Sequence, residues 1–269
     1  MDLVSCLNEL DSCYARGALQ EADAFLARSI AEAEAESDSA AVLSLLNEQM
    51  GLYRVTGRQE QAVALSERAL ALVEKLGLTD SGFHATVLLN RATALGVAGR
   101  LEEALETYRR AETIYDAAGA ASFAYASLLN NMSNIQSALG QLDEAEACLR
   151  KSRRLLSEDA DTAAELATNA VNLAVLCIRR GALGEAESWI ETAMAYYDKD
   201  GRMDTHRASS IAARGMLALA QGRLEDALAD DRAALELTLS VFGECRDAEM
   251  LRQNITQLEK ELEKRHEGA

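Results

Sequence analysis

Gly99-Arg100-Leu101-Glu102-Glu103-Ala104-Leu105 is the stretch that decides how this chain is read. Its glycine stands five residues before its alanine. The same pair recurs at Gly17 and Ala22, Gly57 and Ala62, Gly140 and Ala145, Gly181 and Ala186, and Gly222 and Ala227. Successive glycines are 40, 42, 41, 41 and 41 residues apart. A fixed period of that length marks an array of similar units, each covering the apolar face of its neighbour.

Each glycine separates two helical patterns. After Gly99 the apolar residues Leu101, Ala104, Leu105, Tyr108, Ala111 and Tyr115 recur in steps of three and four, which puts them on one stripe. Before it, Ala85 to Ala98 carries Leu88, Ala92 and Leu95 on its inward side. A glycine in the left-handed region ends the first helix, and the short turn brings the second back antiparallel. The alanine falls where the two helices press closest. The pattern predicts hairpins over residues 1–37, 38–78, 79–119, 120–158, 159–200 and 201–243 of a single array spanning 1–269. Asp38 or Ser39, Asp80 or Ser81, Asp159 or Asp161, and Asp204 or Thr205 stand where first helices need N-caps. A last helix over 246–265 carries Leu251, Ile255, Leu258 and Leu262 in steps of four, three and four, and reads as a cap on the open end.

The composition agrees with an all-α chain. Hydrophobic residues make up 49% but aromatics only 4%, and proline is absent. Forty-four Asp and Glu against 27 Lys and Arg leave a net charge of −17, which repels phosphate backbones and anionic lipid heads. The sequence therefore predicts no nucleic-acid or membrane partner. The one cationic run, Arg150, Lys151, Arg153 and Arg154, reads as a solvated face. Five cysteines without metal-ligand spacing fit a reducing, cytoplasmic setting. His84, His206 and His266 lack the partners of a zinc site, and no phosphate loop or nucleophile elbow is present. The expectation is a protein that is no enzyme and takes no metal or cofactor.

The six Gly-to-Ala pairs, the small residues Ala92, Ser133, Ala174 and Gly215 seven before a glycine, and Ser29, Ala69, Ala111, Ser152, Ala193 and Ala234 seven after each alanine carry a family resemblance. The chain resembles the tetratricopeptide repeat family in its longer form of about 42 residues, as in kinesin light chain and bacterial peptide-sensing regulators. The resemblance implies a right-handed α-α superhelix, a solenoid of six hairpins plus a C-terminal capping helix. Two features depart from it: the proline common after the second helix is missing, and the second unit shifts an asparagine by one place.

Nine residues before the glycines stand Asn8, Glu48, Asn90, Asn131, Asn172 and Ala213, with Asn47 beside Glu48 and Asn130 and Asn134 flanking Asn131. Thirteen before stand Val4, Ser44, Thr86, Ser127, Thr168 and Ser209. The two columns are one helical turn apart on one face. The resemblance places that face on the concave wall, where Asn offers both donors and acceptors to a peptide main chain. At a spacing of about 10 Å between first helices, one rung matches roughly three residues of extended peptide. Tyr14, Arg54, Ser137, Ile178 and Arg179 stand between the rungs. The same amides and hydroxyls also read as caps, bonds to a neighbouring turn, or filling of a wet groove. Two residues before the glycines only Arg179 is a cation, which argues against an acidic tail as ligand.

The expectation is a non-catalytic scaffold, monomer or homodimer, that binds an extended protein or peptide segment. Its predicted contacts are Asn47, Asn90, Asn130, Asn131, Asn134, Asn172, Ser44, Thr86, Ser127, Thr168, Arg54 and Arg179. The alternatives are a sensor of a small peptide or metabolite acting on a separate effector, and a self-associating module.

Overall fold

The computed structural model describes residues 2–119, 123–156, 162–200 and 205–267. Among these residues it is helical throughout and holds no strand. Two compact units divide it at residue 120. The first contains α1 (Leu3–Ala15), α2 (Leu19–Ala35), α3 (Ser39–Val55), α4 (Gln59–Lys75), α5 (Gly82–Val97) and α6 (Leu101–Ala118). The second contains α7 (Phe123–Ala138), α8 (Leu142–Leu155), α9 (Ala163–Arg179), α10 (Leu183–Asp200), α11 (Thr205–Ala220), α12 (Leu224–Phe242) and α13 (Arg246–Glu267).

One turn geometry makes every hairpin. At Gly99 the backbone takes φ +80°, which lets the Arg100 amide donate to the Leu95 carbonyl at 2.9 Å and the Gly99 amide to Gly96 at 3.1 Å. Those two bonds satisfy carbonyls that the end of α5 leaves open. The long bond recurs from Ala18 to Cys13, Arg58 to Tyr53, Gln141 to Gln136, Ala182 to Cys177 and Arg223 to Ala218. The alanines that follow, from Ala22 to Ala227, are at most 1% exposed. A larger side chain there would force the paired helices apart.

The missing prolines are explained at the other ends. The second helices of the first unit stop at Ser37, Gly77 and Gly119, all at positive φ, so left-handed residues end these helices where the family often uses proline. The first helices start as expected in two places. Asp38 accepts from the Ala41 amide at 3.0 Å, and Ser81 accepts from His84 at 3.3 Å. Asp159, Asp161 and Asp204 lie outside the described residues, and α9 begins after Thr162, whose side chain makes no capping bond.

Within each unit a hairpin packs on the next. In the first, α2 meets α3, α4 meets α5, and the first helices α3 and α5 also touch directly. In the second, α7 and α9 touch, α9 and α11 touch, and α13 lies on α12. The stripe after Gly99 is the core: Ala104, Leu105, Tyr108, Ala111 and Tyr115 are 0 to 7% exposed. The position nine residues after each glycine is an interior row, filled by Leu26, Ser66, Tyr108, Leu149, Ile190 and Asp231, all buried. Five of the six suit a core. Asp231 does not.

Candidate functional site

The direct contact between first helices creates the candidate site, because residues at matching heights on neighbouring helices come within reach of one another. In the first unit, Asn90 Nδ2 donates to Asn47 Oδ1 at 3.0 Å. Asn47, not Glu48, is thus the rung facing α5, which resolves the one-place shift in the second unit of the repeat. Glu48 faces α1, where burial pushes its carboxyl up and the nearby Asp11 adds to the effect. Asn47 and Asn90 are both partly buried. Each still has unused capacity, since an amide carries two N–H donors and two acceptor lone pairs.

The hydroxyl column is committed differently. Ser44 donates to the Ala40 carbonyl at 3.2 Å, Thr86 to Gly82 at 3.0 Å, and Thr168 to Ala164 at 3.0 Å. Bonding to the preceding turn uses the single proton of each hydroxyl and leaves lone pairs only. Thr168 Oγ1 also lies 3.0 Å from Nδ1 of His206, on the next first helix. Ser127 is partly buried on α7.

In the second unit Asn131 and Asn172 are partly buried and Asn134 is exposed. Asn130 is elsewhere: it is 5% exposed and accepts at Oδ1 from Asn169 Nδ2 at 2.8 Å. Asn169 is fully buried and also donates to the Leu149 carbonyl at 3.0 Å. This amide pair ties α7, α8 and α9 together inside the unit and belongs to the packing. The columns gave no sign of Asn169, which lies three residues before Asn172, turned into the core. Arg179 is exposed and donates from Nη1 to the Ser137 carbonyl at 2.8 Å, linking α9 to the end of α7.

Arg54 is partly buried on α3. Burial lowers the pKa of its guanidinium, and the Tyr108 hydroxyl acts the other way. An arginine nevertheless stays charged. Tyr108 Oη itself lies 2.7 Å from Thr93 Oγ1, and Thr93 donates to Leu89 at 2.8 Å. No group of three or more His, Cys, Asp or Glu stands ready to hold a metal ion among the described residues. None of their helices is long and apolar enough to cross a membrane.

Serial helical hairpins, a glycine turn in each and small residues at every close approach define a class of repeat protein. Tetratricopeptide repeat profiles match residues 45–117 and 124–199, and a second such profile matches 207–247. The chain belongs to the tetratricopeptide repeat family. Among solved structures it is similar to BtubC (BKLC) from P. vanneervenii, with a TM-score of 0.65 at 22% identity over 84% of this chain and 93% of that one. It is also similar to a tetratricopeptide repeat protein from Parabacteroides merdae, at 0.52 and 18% over 95% and 98% of the two chains. A Rap protein complexed with competence and sporulation factor matches at 0.69 and 14%, over 95% and 74%. Likeness at these identities establishes the all-α solenoid fold. Comparison with curated protein sequences returns no significant match.

Proposed function

We propose that this protein is a non-catalytic scaffold that binds an extended protein or peptide segment on the first-helix face of each unit. Asn47 and Asn90 serve the first unit, and Asn131, Asn134 and Asn172 the second. The observation that carries this reading is the Asn90–Asn47 bond: it puts successive rungs side by side while leaving amide capacity on both. A main chain laid across the rungs would meet acceptors and donors without its side chains being read. The hydroxyls of Ser44, Thr86, Ser127 and Thr168 line the same face. Arg54 and Arg179 stand between rungs and would select ligand side chains.

The charge of −17 favours a neutral or basic segment and disfavours both nucleic acid and a second copy of the chain. The five cysteines are all free, four of them buried, which fits a reducing compartment such as the cytoplasm. The test is calorimetric titration of pools of 12-residue peptides into the wild type and into the triple variant Asn90→Ala, Asn131→Ala, Asn172→Ala. The variant should lose binding while its far-UV circular dichroism is unchanged. Equal binding by both proteins would refute the reading.

A sensor of a small peptide acting on a separate effector is the second reading. It is favoured by the likeness in fold to the Rap protein complexed with competence and sporulation factor. In that case short free peptides would bind as tightly as the same sequences embedded in a protein.

A further inference from the structure

In three places the repeat fixes an arginine on a carboxylate of the preceding second helix, and the receiving carboxylates stand at two positions. Six residues after a glycine, Asp23 on α2 accepts from Arg58 at 2.7 Å, and Glu146 on α8 holds Arg180. Ten residues after a glycine, Glu67 on α4 accepts from Arg91 at 2.5 Å. Arg58 follows its glycine by one residue, and Arg91 precedes its glycine by eight.

The last hairpin repeats these positions but not the bonds. Glu187 and Glu191 on α10 stand six and ten residues after Gly181, and Arg223 and Arg214 stand one after and eight before Gly222. Both arginines turn to their own hairpin instead. Arg223 bonds to Asp226 at 2.5 Å and to Gln221, and Arg214 grips Asp230 through bonds of 2.9 and 2.6 Å. Glu187 and Glu191 are exposed, and their side chains make no ion pair or hydrogen bond with any described residue. A groove of about 370 Å³ is left between α10 and α12, with the buried Ile190, Leu217 and Ala218 at its base and both glutamates on its lining.

We propose that this groove is a docking surface for a partner protein and takes one arginine side chain from a basic segment of it. The repeat itself supplies the chemistry, since the equivalents of both glutamates hold a guanidinium within the chain. Glu187 and Glu191 are one helical turn apart, about 5–6 Å between their Cβ atoms. A planar guanidinium with five N–H donors serves two carboxylates at that span, where the ammonium of a lysine acts as a single point charge. The aliphatic stem of the arginine lies over Ile190 and Leu217. Four carboxylates line the groove against two guanidiniums, both already paired, so an incoming cation meets a net negative wall. The chain's charge of −17 adds attraction at longer range. This surface is separate from the amide column and does not rest on it.

The probe is acetyl-Gly-Arg-Gly-amide, titrated into the full-length protein at low ionic strength and followed by ligand-observed NMR. The comparators carry citrulline, which has nearly the same shape without the charge, or lysine in place of arginine. The wild type should bind the arginine peptide about five- to tenfold more tightly than the citrulline peptide, with lysine between them. The double variant Glu187→Gln, Glu191→Gln should lose that preference. Glu261→Gln with Glu263→Gln makes the same change of charge at exposed positions of α13 and should keep it. Far-UV circular dichroism checks that each variant folds. Equal binding by the wild type and the groove variant, or no preference for arginine over citrulline, overturns the inference. Tighter glutamate-dependent binding of free L-arginine than of the peptide would make the groove a small-molecule site and overturn it too. So would light scattering that shows a wild-type dimer lost in the groove variant, because a second copy would then be the occupant. The variant Asn90→Ala, Asn131→Ala, Asn172→Ala should bind the arginine peptide as the wild type does, so the groove and the amide column fail or stand separately.

Discussion

Neutralising Asp231 should make the second unit more stable at neutral pH. Asp231 occupies the interior row on α12 and is 6% exposed. Its carboxylate fills the space beside Gly215 on α11: a Cβ there would meet Asp231 Oδ1 at 3.0 Å. The neighbouring cation is already engaged, because Arg214 grips Asp230 through bonds of 2.9 and 2.6 Å. On the α13 side, Arg232 pairs with Glu259 and Arg252 with Glu244. Burial, and after it the charge of Asp230, pushes the Asp231 carboxyl from 3.8 to about 6.

The sign follows from proton binding. The folded state holds its proton more tightly than the unfolded chain, so stability is greatest below pH 3.8 as far as this group is concerned. It falls as pH rises towards 6 and stays low above that. A difference of that size corresponds to about 3 kcal/mol, which solvent screening around the adjacent Asp230 and Arg214 reduces to about 1–2 kcal/mol. Asp231→Asn keeps the volume and removes the charge. Urea unfolding followed by fluorescence of Trp189, the single tryptophan and a residue of the second unit, isolates the effect. The variant should gain about 1–2 kcal/mol over the wild type at pH 7.5, and the gain should shrink as pH falls from 6 through 3.8, vanishing only below that. Taking the difference between the two proteins cancels histidine titration. A variant no more stable than the wild type at pH 7.5, or a gain that does not vary with pH, would refute the argument.

Three further outcomes are expected. Asn169→Ala should cost about 1–2 kcal/mol in the same fluorescence assay, since it breaks two buried bonds and strands the Asn130 oxygen. Gly99→Ala should lower the stability of the first unit by about 1–2 kcal/mol, measured by circular dichroism during urea unfolding, because φ +80° is costly for any residue with a Cβ. Tyr108→Phe should cost about 1 kcal/mol in that measurement by removing the 2.7 Å contact with Thr93; no loss would mean that this contact contributes nothing net.

Most of the fold is legible in the sequence because its signals are local and repeated. A positive-φ glycine and a tight-packing alanine five residues on are each dictated by geometry, and six copies in register reinforce one another. The helix starts at Asp38 and Ser81 are equally local. The site is less legible. Whether an asparagine faces a neighbouring helix, the core or solvent turns on about 100° of rotation per residue. That is why Asn130, one place from Asn131, is interior, and why Asn47 rather than Glu48 meets Asn90. Asp231 shows the remaining limit. Its position in the interior row follows from the spacing, but the space that admits a carboxylate depends on Gly215 in another helix.

The back-bonded hydroxyls of Ser44, Thr86 and Thr168 carry a consequence for chemistry at this surface. With their protons directed into their own helices, Ser44 and Thr86 give the first unit a short strip of oxygen lone pairs, while Thr168 in the second already meets His206 Nδ1. Whatever lies along that strip has to supply hydrogen. A chain rich in proline, or one methylated on its backbone nitrogens, brings none and would leave those oxygens dry and unanswered.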